Sequence, residues 1–201
     1  MRALLLALGL LLATPTAAQT TRALIVGIDT YQYSTTTTRG AQFTDLRGAV
    51  ADAVTFKNLL RTVYRIDLDR TAQGQCPTAP HPLSTTLYNH CATRAAILAA
   101  LDDLVARSAP GDTLVFYFSG HGSLYVDRRF DQASGYNGTI LSYDARRPGA
   151  ESEGEIFDIE LKAKKTAAVA KGIYWVTVFD SCNSGTATRD GALGQARSAP
   201  P

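Results

Sequence analysis

The chain has 201 residues, with 20 Lys and Arg against 18 Asp and Glu, a formal net charge of +2 and 45% hydrophobic residues. That is one domain's worth of chain, large enough to bury a core without help from a metal. The charge is nearly balanced and the basic residues are scattered, which argues against a polyanionic partner: no nucleic-acid binding is expected.

The chain opens on Met1-Arg2 and an apolar run from Ala3 to Ala13 that is too short to span a bilayer, followed by small residues at Thr16, Ala17 and Ala18. This pattern predicts a secretory signal over residues 1–18, a secreted or periplasmic protein, and no membrane span in the mature chain. It leaves a folded domain over 19–190 and a polar tail over 191–201. Ala23 to Ile28 is a near-continuous apolar run, as expected of a strand covered on both faces. Ala49, Ala53, Phe56 and Leu60 then fall on one face of a helix. A strand is expected from Leu83 to Tyr88. A second helix carries Ile97, Leu98, Leu101, Leu104 and Val105, opened by a Thr93 cap and stopped by Pro110-Gly111. Leu114 to Phe118 is a further strand, Asn137-Gly138 reads as a hairpin turn, Ile156 to Val169 as a third helix, and Tyr174 to Phe179 as a last strand. Strand and helix alternate throughout, which predicts an α/β three-layer sandwich with a mostly parallel central sheet and right-handed crossovers.

Three cysteines in an exported chain leave one unpaired after a single disulfide. A Cys76–Cys91 bond would close a loop and restrict the unfolded chain by about 3 kcal/mol. Two free thiols, or a zinc site made with His81 and His90, are the alternatives, although adjacent His90-Cys91 is an awkward ligand pair and the usual spaced knuckle is absent. Cys182 is left over in each case. No metal and no cofactor is expected.

Two short segments carry the chemistry. Phe118-Ser119-Gly120-His121-Gly122 and Phe179-Asp180-Ser181-Cys182-Asn183-Ser184-Gly185 each follow an apolar strand directly. In an open parallel sheet, sites form beyond the carboxyl ends of strands, so His121 and Cys182 are expected at one sheet edge. An imidazole that stabilises a thiolate and then protonates a leaving amine is the minimum equipment for covalent attack on a peptide carbonyl. The backbone N–H groups of Gly122 and Cys182 are candidates for an oxyanion hole.

These segments resemble the His and Cys boxes of the caspase-like peptidases, specifically metacaspases and their bacterial relatives. Ala23 to Asp29, Leu46 to Ala53, Ala92 to Ile97, Tyr143-Asp144 and Ile156 to Asp158 fall in the family's order, so the resemblance runs from about Ala23 to Arg189. It implies a caspase-haemoglobinase fold, peptide or protein substrates, Cys182 as nucleophile and His121 as acid/base partner. Metacaspases cut after Arg or Lys, and the resemblance assigns Asp52, Ser119 and Asp180 to the pocket for that basic side chain. Paired carboxylates suit a guanidinium, which donates several charge-assisted hydrogen bonds at once. Two features depart from the family. The acidic stretch that binds calcium reads Asp131-Gln132-Ala133-Ser134-Gly135-Tyr136-Asn137-Gly138, with Asp158-Ile159 later, so strong calcium activation is not expected. The chain also stops soon after Cys182, at the large-subunit portion, and a small-subunit partner is expected if it is a fragment. A non-catalytic peptide- or protein-binding module, or a thiol peptidase of the same fold with different specificity, is the alternative reading.

Overall fold

The structure, a computed structural model, describes residues 18–34, 43–126, 135–150 and 152–181. Residues 1–17 of the expected signal segment over 1–18, residues 131–134 of the stretch compared with the family's calcium site, the tail, and Cys182 itself lie outside the described residues.

In chain order the elements are β1 (Thr21–Gly27), α1 (Ala49–Thr62), β2 (Ser84–Tyr88), α2 (Arg94–Arg107), β3 (Thr113–Ser119), β4 (Gly122–Val126), β5 (Tyr136–Leu141), β6 (Glu155–Phe157), α3 (Asp158–Ala170) and β7 (Tyr174–Asp180). Four strands form a parallel sheet in the order β2-β1-β3-β7. Along each strand successive side chains point to opposite faces, and on β1 and β3 both faces are covered. Leu24, Val26, Leu114, Phe116 and Phe118 pack with Ile97, Leu101 and Leu104 of α2 and Leu161 and Ala168 of α3. Ala23, Ile25, Val115 and Tyr117 pack with Val50, Ala53 and Leu60 of α1, and Phe56 stacks on Tyr117 with ring centroids 4.2 Å apart. Double coverage leaves no polar face on these two strands, which is why they read as apolar runs, whereas β2 opens on Ser84-Thr85-Thr86 and β7 keeps Tyr174 and Val176 exposed. The result is the expected three-layer sandwich.

Helix α1 starts at Gly48, which has no side chain to cap it. Asp29, just past the end of β1, does so from a distance: its carboxylate accepts from the Ala49 N–H at 2.7 Å and the Val50 N–H at 3.4 Å. An anion there also suits the positive end of the helix dipole. The helix lies so close to β1 that a Cβ on Gly27 would stand 2.7 Å from the Ala53 Cβ, so no other residue fits at 27 without a shift. At α2 the expected cap is present, with Thr93 Oγ1 accepting from the Ala96 N–H at 3.2 Å.

Strands β4, β5 and β6 form a separate antiparallel sheet in that order, which overturns two expectations. Asn137-Gly138 is not a turn; both residues lie inside β5, opposite Tyr125 and Leu124. The link between β4 and β5 falls earlier in the chain, and the Gly138 N–H donates to Asp158 Oδ2 at 3.2 Å. The third helix also starts later than expected, at Asp158, because Ile156 and Phe157 are held as strand by pairing with Ile140 and Thr139.

The long connection between α1 and β2 is tied down twice. A Cys76–Cys91 disulfide is present, and a buried ion pair joins Lys57 Nζ to Asp69 Oδ1 at 2.9 Å. Asp69 also accepts from Ser84 Oγ at 2.7 Å, Thr86 Oγ1 at 2.8 Å and the Thr71 N–H at 3.1 Å. Burial alone would push this carboxyl up, but the hydrogen bonds from Lys57, Ser84 and Thr71 outweigh it and hold it at about 2, below its ordinary 3.8. The same burial pulls Lys57 below its usual value. Removing the carboxylate would strand a buried ammonium.

Asp69→Asn is therefore expected to cost about 3 kcal/mol or more in urea denaturation at neutral pH. Because the folded chain holds Asp69 ionised down to about 2 while the unfolded chain protonates it near 3.8, its contribution is complete above that upper value and is lost as pH falls through the lower one. The variant should lose this acid limb of about 2 kcal/mol. An unchanged denaturation midpoint and acid limb would show that the pair holds nothing together.

Candidate functional site

The parallel register sets one row of residues across the carboxyl edge of the main sheet: Tyr88 beside Gly27, Gly27 beside Ser119, and Ser119 beside Asp180. Ser119 is fully buried, and its Oγ donates to Asp180 Oδ2 at 3.3 Å. The Gly120 N–H approaches the Asp180 carbonyl at 3.4 Å. Two of the three expected pocket residues are thus in contact. Asp52, half-buried in the first turn of α1, belongs to the helix end packed over Gly27, the neighbour of Ser119 in this row.

His121 follows one residue beyond Gly120 and is only 4% exposed. Its backbone N–H donates to Tyr31 Oη at 2.7 Å, and its Nε2 lies 2.7 Å from the Thr44 carbonyl oxygen. A carbonyl can only accept, so Nε2 carries the proton and, in the neutral ring, the lone pair resides on Nδ1. The ring is enclosed by Tyr31, centroids 5.2 Å apart, and by Phe43, edge-on at 5.7 Å. Gly120 is required by this crowding, since a Cβ there would stand 2.8 Å from Tyr31 Oη.

The segment bearing Tyr31 is itself fixed. Asn89 Oδ1 accepts from the Asp29 N–H at 2.8 Å and the Thr30 N–H at 3.2 Å, and Asp45 accepts from the Tyr31 N–H at 3.0 Å. Sequence reasoning missed all of these supports. A tyrosine just past a strand end offered a signal that could have been weighed; Thr44 offered none, because it acts through its backbone.

Gly122 opens β4. The His121 carbonyl accepts from the Leu141 N–H at 2.9 Å, making 121 and 141 a hydrogen-bonded pair. Antiparallel ladders alternate, so Gly122 and Ile140 form a non-hydrogen-bonded pair and the Gly122 N–H is directed away from β5. An amide so placed is free of the ladder and able to meet a developing oxyanion. Ser181, buried and directly beyond β7, is the last described residue before position 182.

Among the described residues, Cys76, His90 and Cys91 could group around a metal, with His90 Nε2 3.5 Å from Cys76 Sγ. Both sulfurs are consumed by the disulfide. The cluster therefore offers neither a zinc site nor a thiol for a Cys/His dyad. His81 lies apart from it, its Nδ1 meeting the Leu83 N–H at 3.3 Å. A cavity of about 620 Å³ is lined by Gln32, Tyr33, Arg94, Asp144, Arg147 and Glu153 among others, and by none of the expected site residues. Its arginines are ion-paired, Arg94 with Glu160 and Arg147 with Glu153.

Comparison with known proteins agrees with this layout. A metacaspase, peptidase C14 domain profile matches residues 21–189. Metacaspase-1 of Plasmodium falciparum is 34% identical over 166 residues, covering 82% of this chain and 24% of that protein. Metacaspase-1 of Mycosarcoma maydis is 32% identical over 170 residues, covering 83% of this chain and 36% of its own length. The chain thus spans about a quarter to a third of the curated relatives it matches. A solved structure of a Geobacter sulfurreducens protein has the same fold, with a TM-score of 0.56 at 23% identity, covering 81% of this chain and 50% of that one. With a parallel sheet that pairs Ser119 of the His box with Asp180 of the Cys box, and a profile matched over residues 21–189, the chain belongs to the metacaspase family of peptidase C14 domains.

Proposed function

We propose that the chain is a cysteine endopeptidase that hydrolyses peptide bonds after Arg or Lys through Cys182 and His121. The observation that carries the reading is the in-register pairing of Ser119 with Asp180. It sends the chain toward His121 and the chain toward Cys182 off the same edge of two hydrogen-bonded strands. The Thr44 carbonyl supports the assignment of roles, since it holds the proton on Nε2 and so puts the lone pair of the neutral ring on Nδ1.

Cys182 Sγ, as thiolate, attacks the scissile carbonyl carbon, and the oxyanion is received by the N–H groups of Gly122 and Cys182. Collapse to a thioester breaks the C–N bond, and the imidazolium of His121 gives its proton to the departing amine. His121 then takes a proton from water, whose oxygen attacks the thioester and releases the acid and the thiolate. The basic side chain of the substrate is held by Asp180 and Asp52, with Ser119 orienting the Asp180 carboxylate.

Calcium is read as unnecessary. Asp158, the acid that lies near the family's calcium position by resemblance, already accepts from the Gly138 N–H at 3.2 Å and the Ile159 N–H at 2.7 Å. Asn137 and Gly138 supply no carboxylate beside it. The disulfide accords with export behind a leader over residues 1–18. A small-subunit partner, or a further segment, is proposed to cover β7, the outer strand of the described sheet, where Tyr174 and Val176 are 62% and 44% exposed.

Fluorogenic peptides ending in Arg or Lys should be cleaved, with loss of at least about a thousandfold in Cys182→Ala or His121→Ala. Asp180→Asn should reduce Arg turnover by about tenfold or more, mainly through KM. Binding without turnover would replace the enzyme by a peptide-binding module, and cleavage after other residues would overturn the basic pocket.

Chelation provides a separate check. Turnover should stay within about twofold on adding EDTA or millimolar calcium, whereas calcium-dependent activation by an order of magnitude or more would restore the family's metal requirement.

A further inference from the structure

One cluster of buried charge has no part in the chemistry above. Arg146 and Glu155 are 4% and 0% exposed. Arg146 Nε donates to Glu155 Oε1 at 2.9 Å and its Nη2 to Ser123 Oγ at 2.6 Å. Glu155 also accepts from Tyr125 Oη at 3.0 Å and Thr139 Oγ1 at 2.6 Å. A buried ion pair often stabilises a fold no better than apolar residues of the same volume, so its presence asks for a geometric role. Arg146 in addition has φ 61°, a left-handed conformation that side-chain-bearing residues rarely adopt.

The guanidinium lies over the Phe43 ring, 5.6 Å from its centroid, within the range of a cation–π contact. Phe43 in turn meets His121 edge-on at 5.7 Å and Tyr31 at 5.5 Å. The next residue, Thr44, provides the carbonyl that accepts the His121 Nε2–H. On the other side, Ser123, held by Arg146, is two residues beyond His121 in β4. The pair therefore grips the surroundings of the imidazole at two points, the ring that backs it and the strand that carries it onward.

We propose that the buried Arg146–Glu155 pair is the positioning element for His121, seating Phe43 so that the Thr44 carbonyl stays on Nε2 and the ring is locked in the tautomer with its lone pair on Nδ1. The proposal rests on the reading of His121 as the acid/base group. Neither residue touches substrate; both act through Phe43, Thr44 and Ser123.

Nitrogen NMR of the intact chain labelled at its three histidines, assigned with His121→Gln, reads the tautomer directly and needs no turnover. Wild type should be the Nε2–H form. Phe43→Leu and Arg146→Met should each raise the Nδ1–H population of His121 by about threefold or more, and Arg146→Lys, which keeps a cation over the ring, should return toward wild type. With Arg-ended peptide, kcat should fall about tenfold in the first two variants while KM stays within about twofold. If wild type cleaves no peptide, the enzymatic reading fails while the tautomer result still stands. Variants that fold, as judged by near-UV circular dichroism, yet keep the wild-type tautomer would overturn the proposal. If Arg146→Met does not fold, Glu155→Gln, which keeps the side-chain volume and removes the ion pair, decides it by the same tautomer readout.

Discussion

Everything at this site depends on the parallel pairing of β3 with β7. Once Ser119 stands opposite Asp180, the two strands can only release their following residues at one edge, and the segments that hold the imidazole and the thiol leave the sheet side by side. Register is enforced by the core: slipping β3 by one residue would turn Leu114, Phe116 and Phe118 away from α2 and toward α1, exchanging every side chain of that strand between the two faces. Packing thus fixes the edge at which β3 and β7 end together.

Around that edge the chain invests mostly in backbone contacts. The imidazole is steered by a carbonyl from Thr44, its own N–H is fixed by Tyr31, and the Tyr31 segment is held by the Asn89 amide and the Asp45 carboxylate. Asp29 links the end of β1 to the start of α1, the helix that carries Asp52. The small antiparallel sheet then carries the chain on from His121 and contributes Ser123 and Glu155 to the buried charge behind Phe43. The supports thus come from segments distant in sequence and meet only in the folded chain.

The central sheet was legible in the sequence because parallel strands covered on both faces are apolar at every position, as Leu24, Ile25 and Val26 illustrate. The caps and stops of α2 were legible because Thr93 acts on its own helix. The second sheet was not. β6 is three residues long, β4 mixes Gly122 and Ser123 with apolar residues, and Asn137-Gly138 carries a turn signal that the Asp158 contact overrides. Of the candidate site, Ser119, Asp180 and Asp52 were named as pocket candidates and Asp52 was placed in the first turns of its helix, while the Ser119–Asp180 contact emerged only from the fold. The Asp29 cap, the Tyr31 hydroxyl and the Arg146–Glu155 pair were not found, since each acts across 20 residues, 90 residues or a strand boundary. Local patterns nominate candidate residues and say little about what orients them.

The central claim is that an imidazole makes the Cys182 sulfur anionic at neutral pH. The pH dependence of alkylation at Cys182, followed by peptide mass mapping, tests it most directly. The account predicts rapid alkylation well below the ordinary thiol value of about 8.5, with the midpoint returning to that value in His121→Gln. Identical profiles for the two proteins, both centred on the ordinary thiol value, would contradict it.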